Sequence, residues 1–327
     1  MPVLPTPDYR PAPPFRRAHI STLYPTLLRP TPLMGPFRHD RVSTPDNDFL
    51  TLDLHPSRTG RSRKLVVISH GLEGDARRKY VLGMSRAATR LGYDAVCWNQ
   101  RSCGGEPNLL PRSYHSGETG DLHTIITHSL ETGEYDSVVL IGFSMGGNQI
   151  LKYLGEAPER VPAEVAGAAV FSVPCDLGGS ERILARPSRR IYVEYFMRGL
   201  RTKIREKETQ FPDIMPQGLI KGVTTLREFD NRYTAPYHGF ADAADYYARA
   251  SSLPVLYGIR VPTLLVNAQN DPFLTPSCFP EEVARRNPNL YLEMPRFGGH
   301  VGFVARGKDN VYWSEQRAGA FLEEMFG

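Results

Sequence analysis

Ser144, Asp271 and His300 are the residues of this chain whose types, order and surroundings could do covalent chemistry together. Ser144 stands in Gly142-Phe143-Ser144-Met145-Gly146, a G-x-S-x-G pattern. The run Val138-Val139-Leu140-Ile141 before it reads as a strand buried on both faces. Ile150, Leu151 and Leu154 after it recur at helical spacing. Strand, tight turn and helix in that order hold a serine Oγ exposed on strained backbone, the arrangement of a nucleophile elbow. Glycines at 142 and 146 leave room where the strand and helix backbones pass close. A glycine turn with an incidental serine is the plainer reading, and the flanking strand and helix argue against it. A serine hydroxyl is a poor nucleophile at neutral pH. It needs a base, and the base needs an acid to orient it.

Asp271 lies in Asn267-Ala268-Gln269-Asn270-Asp271-Pro272-Phe273, just beyond the apolar run 263–268. An acid there would sit at the carboxyl edge of a sheet, beside the elbow; a turn aspartate before proline is the ordinary alternative. His300 lies in Phe297-Gly298-Gly299-His300-Val301-Gly302-Phe303 and is the only histidine after Asp271. The order Ser…Asp…His therefore makes it the base. Two backbone donors are needed for an oxyanion. They are expected from Met145, directly after the serine, and from Leu72 in the loop His70-Gly71-Leu72-Glu73-Gly74. His70 and Glu73 are expected to shape that loop. His115, His123 and His128 lack convincing metal-ligand partners and are expected on helix surfaces or loops. No metal site and no cofactor site is expected.

These residues need a scaffold, and the hydrophobic pattern describes one. Apolar runs at 65–68, 95–98, 138–141, 166–173, 263–268 and 290–294 read as strands. Helical patterns at 75–91, 121–130 and 311–326 fall between or after them. The alternation predicts an α/β fold, a mostly parallel sheet with helices on both faces. Residues 41–54 alternate as an early antiparallel strand after the turn Pro45-Asp46-Asn47. The first fourteen residues hold six prolines, which cannot donate to a helix or sheet ladder. Residues 1–40 are thus expected as an arm on the core, with Ile20, Leu23, Leu27 and Leu28 giving one or two amphipathic turns. The core is expected over 41–173 and 254–327. Between them, from 174 to 253, the strand rhythm stops. Two helices, at 189–207 and 240–250, mark this stretch as an inserted cap.

At 327 residues with a net charge of +4, the chain is long enough for a large core and too weakly basic to suggest a nucleic-acid partner. Its four cysteines form no C-x-x-C pair, and Cys97 reads as a small buried hydrophobe. No signal-peptide pattern opens the chain, and the uncharged stretch 137–151 is too short and too polar for a transmembrane segment. A cytoplasmic location is the default expectation. Residues 181–208 hold nine Arg or Lys and four Glu, a solvated helix face that leaves peripheral membrane contact open. Nothing in the sequence indicates an oligomeric state.

With serine, acid, base and oxyanion loop placed, the chain resembles the α/β-hydrolase superfamily. More narrowly it is similar to its YheT-like branch, related to the EMB8-type embryogenesis-associated hydrolases. The matching segments are His70 to Gly74, Tyr114 to Thr119, Gly142 to Asn148, Phe229-Asp230, Thr234-Ala235-Pro236, Gly239-Phe240, Asp271-Pro272-Phe273 and Gly298 to Phe303. The branch tends to carry glycine where Ser102 follows Arg101. The resemblance implies an α/β-hydrolase fold with an inserted helical cap. It also implies an esterase or lipase-like carboxylic-ester hydrolase with triad Ser144, Asp271 and His300. The aromatic-rich cap suggests a small-molecule ester with an apolar part. Acyl transfer through the same triad, and ligand binding without catalysis, are the alternatives.

Overall fold

The computed structural model describes residues 3–305 and 308–327. Its centre is a sheet of eight strands among the described residues: β1 (Arg38–Ser43), β2 (Phe49–His55), β3 (Lys64–Ser69), β4 (Asp94–Asn99), β5 (Ser137–Phe143), β6 (Val165–Phe171), β7 (Thr263–Val266) and β8 (Leu290–Glu293). They lie in the order β1-β2-β4-β3-β5-β6-β7-β8. The pairs β1/β2 and β2/β4 are antiparallel and the rest are parallel. Parallel strands need crossover connections, so helices cover both faces and the strands between them become continuously apolar. Alternate residues of β3 and β5 accordingly enter two different cores. Leu65, Val67, Val138 and Leu140 join one, while Val66, Ile68, Val139 and Ile141 join the other with Phe321 and Leu322 of the C-terminal helix Trp313–Phe326.

The helices that bear on the site are α1 (Ala18–Leu28), α2 (Lys79–Arg90), α3 (Gly120–Thr132), α4 (Met145–Glu156), α5 (Leu177–Leu184) and α6 (Arg190–Gln210). Each sequence-expected core helix is present with shifted ends. The helix expected from residue 75 begins at Lys79, because 71–78 form turns. The stretch between β6 and β7 is helical, as the lost strand rhythm suggested. Val193, Met197, Leu200 and Ile204 of α6 pack with Phe229 and Tyr233 in a cluster separate from the sheet cores.

Two expectations for the first fifty-five residues need correction. The alternating stretch is a hairpin of two strands rather than one, with β1 registered on β2 from Arg38 opposite Leu54 to Ser43 opposite Phe49. And α1 buries Ser21 and Pro25, with Arg29 buried just after it, while Ile20, Leu27 and Leu28 face outward. Its inward partner is the glycine-rich loop 298–302, which it meets by hydrogen bonding: Ser21 Oγ donates to the Gly298 carbonyl at 2.8 Å.

Register brings the site together. Ser69 at the end of β3 lies opposite Gly142, and Phe143 lies opposite Phe171, whose neighbour on β7 is Val266. The loops leaving β3, β5 and β7 therefore start at one level along the same edge, the carboxyl edge where ligands of open α/β sheets bind.

Candidate functional site

Ser144 has φ +52° and ψ −119°, a strained conformation for a side-chain-bearing residue, and its N–H is fixed by the Phe171 carbonyl at 2.9 Å. A Cβ on Gly142 would lie 2.7 Å from the Gly146 carbonyl oxygen, and one on Gly146 would lie 2.5 Å from the His70 carbonyl oxygen. Both glycines are thus required by close backbone approach, as their spacing implied.

The structure brings all three sequence-expected residues into one hydrogen-bonded line. Ser144 Oγ and His300 Nε2 are 2.8 Å apart. His300 Nδ1 lies 2.9 Å from Asp271 Oδ2 and 3.1 Å from Oδ1. Asp271 Oδ1 also accepts the Phe273 N–H at 2.9 Å, and the carboxylate is fully buried. A buried carboxylate accepts and cannot donate, so it holds the imidazole proton on Nδ1 and leaves the Nε2 lone pair for the serine. The Phe273 ring covers the imidazole at a centroid distance of 4.1 Å.

Leu72 and Met145 border the same cavity as Ser144 and His300. Met145 opens α4, so its N–H has no intrahelical acceptor. Neither it nor the Leu72 N–H is given an acceptor among the described residues.

The loop carrying Leu72 is held from several sides. His70 Nδ1–H donates to the Gly71 carbonyl at 2.8 Å, and His70 Nε2 accepts the Gln100 N–H at 3.2 Å. Glu73 sits at φ +55°. Its carboxylate accepts Tyr114 Oη–H at 2.5 Å and Lys203 Nζ–H at 2.6 Å, which fastens the loop to α6. Glu73 shapes the loop as expected, but its partners come from 41 and 130 residues away, beyond the reach of local sequence reading.

The loop carrying His300 is braced in the same manner. The His300 N–H donates to Thr22 Oγ1 of α1 at 2.9 Å, and the Val301 N–H donates to Ser172 Oγ at 2.8 Å. Thr22 and Ser172 were not singled out in the sequence. The adjacent Ser21-Thr22 within α1 was the available signal there. His115 lies in a loop, one of the two expected places, and is drawn inward there. It borders the cavity, with edge-on contacts to His238, Phe240 and Tyr246. Ser102, where the resembled branch favours glycine, takes a glycine-like φ of +61°, and its Oγ donates to Asn108 Oδ1 at 2.6 Å.

Burial pushes the His70 and His238 imidazoles down to about 4, and pushes His115 well below its usual value. The unfolded chain binds protons at these positions from about pH 6.5 downward while the folded chain does not. Stability is therefore expected to fall between pH 7 and 5.5, by about 1 kcal/mol for each imidazole. Asp230, which burial raises to about 6, opposes this by somewhat less over the same interval. Urea unfolding at the two pH values measures the difference; a stability that stays level or rises on acidification contradicts it.

The family model for the alpha/beta hydrolase fold matches residues 64–305. YheT of Escherichia coli (strain K12) is 33% identical over 294 residues, covering 89% of this chain and 85% of that protein. Phospholipase ABHD3 of Mus musculus is 31% identical over 291 residues, covering 85% of this chain and 70% of that protein. Among solved structures, the Pyrococcus furiosus esterase Pf2001 superposes with a TM-score of 0.59 at 17% identity, over 91% of this chain and all of the other, a likeness of fold. By its sheet, its elbow and these matches, the chain belongs to the α/β-hydrolase fold family, in the YheT-like branch.

Proposed function

We propose that this protein is a serine esterase that cleaves carboxylic esters bearing an apolar acyl or alcohol part, through an acyl-enzyme on Ser144. The observation that carries the reading is the line from Ser144 Oγ through His300 to Asp271, at 2.8 and 2.9 Å, opening into a cavity. In this reading His300 Nε2 takes the Ser144 proton as Oγ attacks the ester carbonyl. The N–H groups of Leu72 and Met145 hold the oxyanion. His300 then gives its proton to the departing alcohol, and later draws one from water to release the acid. Asp271 steadies the imidazolium at both stages.

Residues 174–253 serve as the cap, 41–173 and 254–327 as the hydrolase core, and 1–40 as an arm bracing the base loop. Leu177, Phe196, Leu200 and Phe229 from the cap give the cavity apolar walls, which supports an ester with an apolar part. The naming of the mouse relative as a phospholipase points the same way.

Incubation with a fluorophosphonate followed by peptide mapping tests the mechanism. A single modified peptide carrying Ser144 is expected; no modification of the folded protein, or modification elsewhere, rejects it. A series of p-nitrophenyl esters of increasing acyl length is expected to show turnover favouring the longer chains.

A further inference from the structure

The N-terminal arm and the start of α6 share an unusual composition and meet on the surface. Residues 9–37 contain four Arg and no acidic residue, and residues 182–193 contain another four Arg and no acidic residue. The two segments are joined where His19 Nδ1 lies 2.7 Å from Tyr192 Oη and Arg189 Nη1 lies 3.2 Å from His19 Nε2. Arg29 is buried against Glu315 and takes no part in the surface. Arg17, Arg186, Arg190 and Arg198 are exposed, and none has a carboxylate partner among the described residues. The exposed acids of α6 are Glu194, paired with Arg201 at 2.9 Å, and Glu206, which lies beyond the first two turns.

Large apolar side chains are exposed on both segments. On α1, Leu27 is 67% and Leu28 66% exposed, with Ile20 beside them; on α6, Ile191 is 61% and Tyr195 48% exposed. Ile191, Tyr195 and Arg198 follow at four- and three-residue steps, hence on one stripe of the helix. The opposite stripe of α6 carries Phe196, Leu200 and Lys203, which border the cavity holding Ser144. A single helix therefore separates the cavity from an outward stripe of isoleucine, tyrosine and unpaired arginine.

Exposed apolar groups rimmed by unneutralised guanidinium fit one kind of partner, a surface with a negative polar layer over an apolar interior. We propose that α1 and the first two turns of α6 form a docking face for an anionic lipid bilayer, with the α6 wall of the cavity held against the membrane. No helix among the described residues is long and apolar enough to cross a membrane. The contact is peripheral: Leu27, Leu28 and Ile191 enter the headgroup boundary while the arginines meet lipid phosphates. It does not depend on the hydrolytic reading, because binding can be measured without turnover.

Co-sedimentation of the full chain with phosphatidylcholine vesicles, with and without phosphatidylglycerol, tests this. The wild type is expected to pellet with the anionic vesicles, less with the neutral ones, and to be released by salt. Two variants probe the two components, Leu27→Asp/Ile191→Asp for insertion and Arg186→Glu/Arg190→Glu for charge. Each is expected to bind anionic vesicles at least about tenfold more weakly. Each is also expected to keep the wild-type melting temperature and its hydrolysis of a water-soluble short-chain ester. Wild type that stays in the supernatant, or variants that pellet as well as wild type, overturn the proposal. So does sedimentation velocity showing a dimer that the variants dissociate, since the face would then cover a second copy.

Discussion

Ser144→Ala and His300→Ala are each expected to lower ester turnover by about 10⁶, and the double variant by no more than either alone, because the residues act as a unit. Asp271→Asn is expected to cost about 10⁴. The smaller loss follows from local geometry. Asp271 Oδ1 accepts the Phe273 N–H at 2.9 Å, so an asparagine would keep its carbonyl oxygen there. Its amide nitrogen would then face His300 Nδ1 from the Oδ2 position, now 2.9 Å away. An N–H facing Nδ1 makes that atom the acceptor and moves the imidazole proton to Nε2, where it blocks proton transfer from Ser144. The ring stays in place with the wrong tautomer. Turnover of a p-nitrophenyl ester as a function of pH measures the effect. Partial recovery of the Asp271→Asn rate at high pH, where hydroxide can take the serine proton in place of Nε2, is the accompanying signature. Asp271→Asn activity within tenfold of wild type would falsify the assigned role.

The parts of this site that local rules govern were legible in the sequence. The elbow was, because a strand buried on both faces must be continuously apolar and its turn must be small. The nearness of Asp271 and His300 to Ser144 was, because chain order and the ends of apolar runs put all three at one sheet edge. What escaped was held by contacts between distant polar groups. Strand β1 is an edge strand on which only Val42 is buried, so it shows no apolar period. The inward face of α1 carries Ser21 and Pro25 rather than leucines, and Ser21 meets loop backbone at the Gly298 carbonyl. Apolar periodicity therefore selected the solvent face. Glu73 could be seen to shape the loop 70–74, but nothing in His70 to Gly74 announces that it meets Lys203. Periodicity reads burial against apolar neighbours, and it is silent where close approach or charge does the positioning.

Arg101 is the largest such case, and Arg101→Met is expected to lower the unfolding free energy by about 3–5 kcal/mol. The guanidinium is 1% exposed and spends its donors on three carboxylates. Nε and Nη2 donate to Asp121 at 2.8 and 2.7 Å, and Nη1 donates to Asp48 at 2.9 Å and to Asp46 at 2.8 Å. These tie the β1–β2 turn and the loop after β4 to α3. Asp46 keeps Arg112 when Arg101 is removed, and Asp48 keeps the Asn108 amide, but Asp121 and Asp48 would lose the cation they share in a buried site. Burial works against ionising Asp46, yet hydrogen bonds from Arg101, Thr44 and Arg112 outweigh it and hold its carboxyl well below the usual carboxylate range. That depressed value stabilises the fold above the ordinary carboxylate pKa and is lost on acidification, so the wild-type advantage over Arg101→Met should shrink below about pH 4. Urea midpoints at neutral and acid pH measure both effects. Adding Asp121→Asn to Arg101→Met removes one orphaned charge and should restore part of the loss, whereas Asp121→Asn alone destabilises. A loss under about 1 kcal/mol for Arg101→Met, or a double variant no better than the single, would mean that water reaches the cluster and screens it.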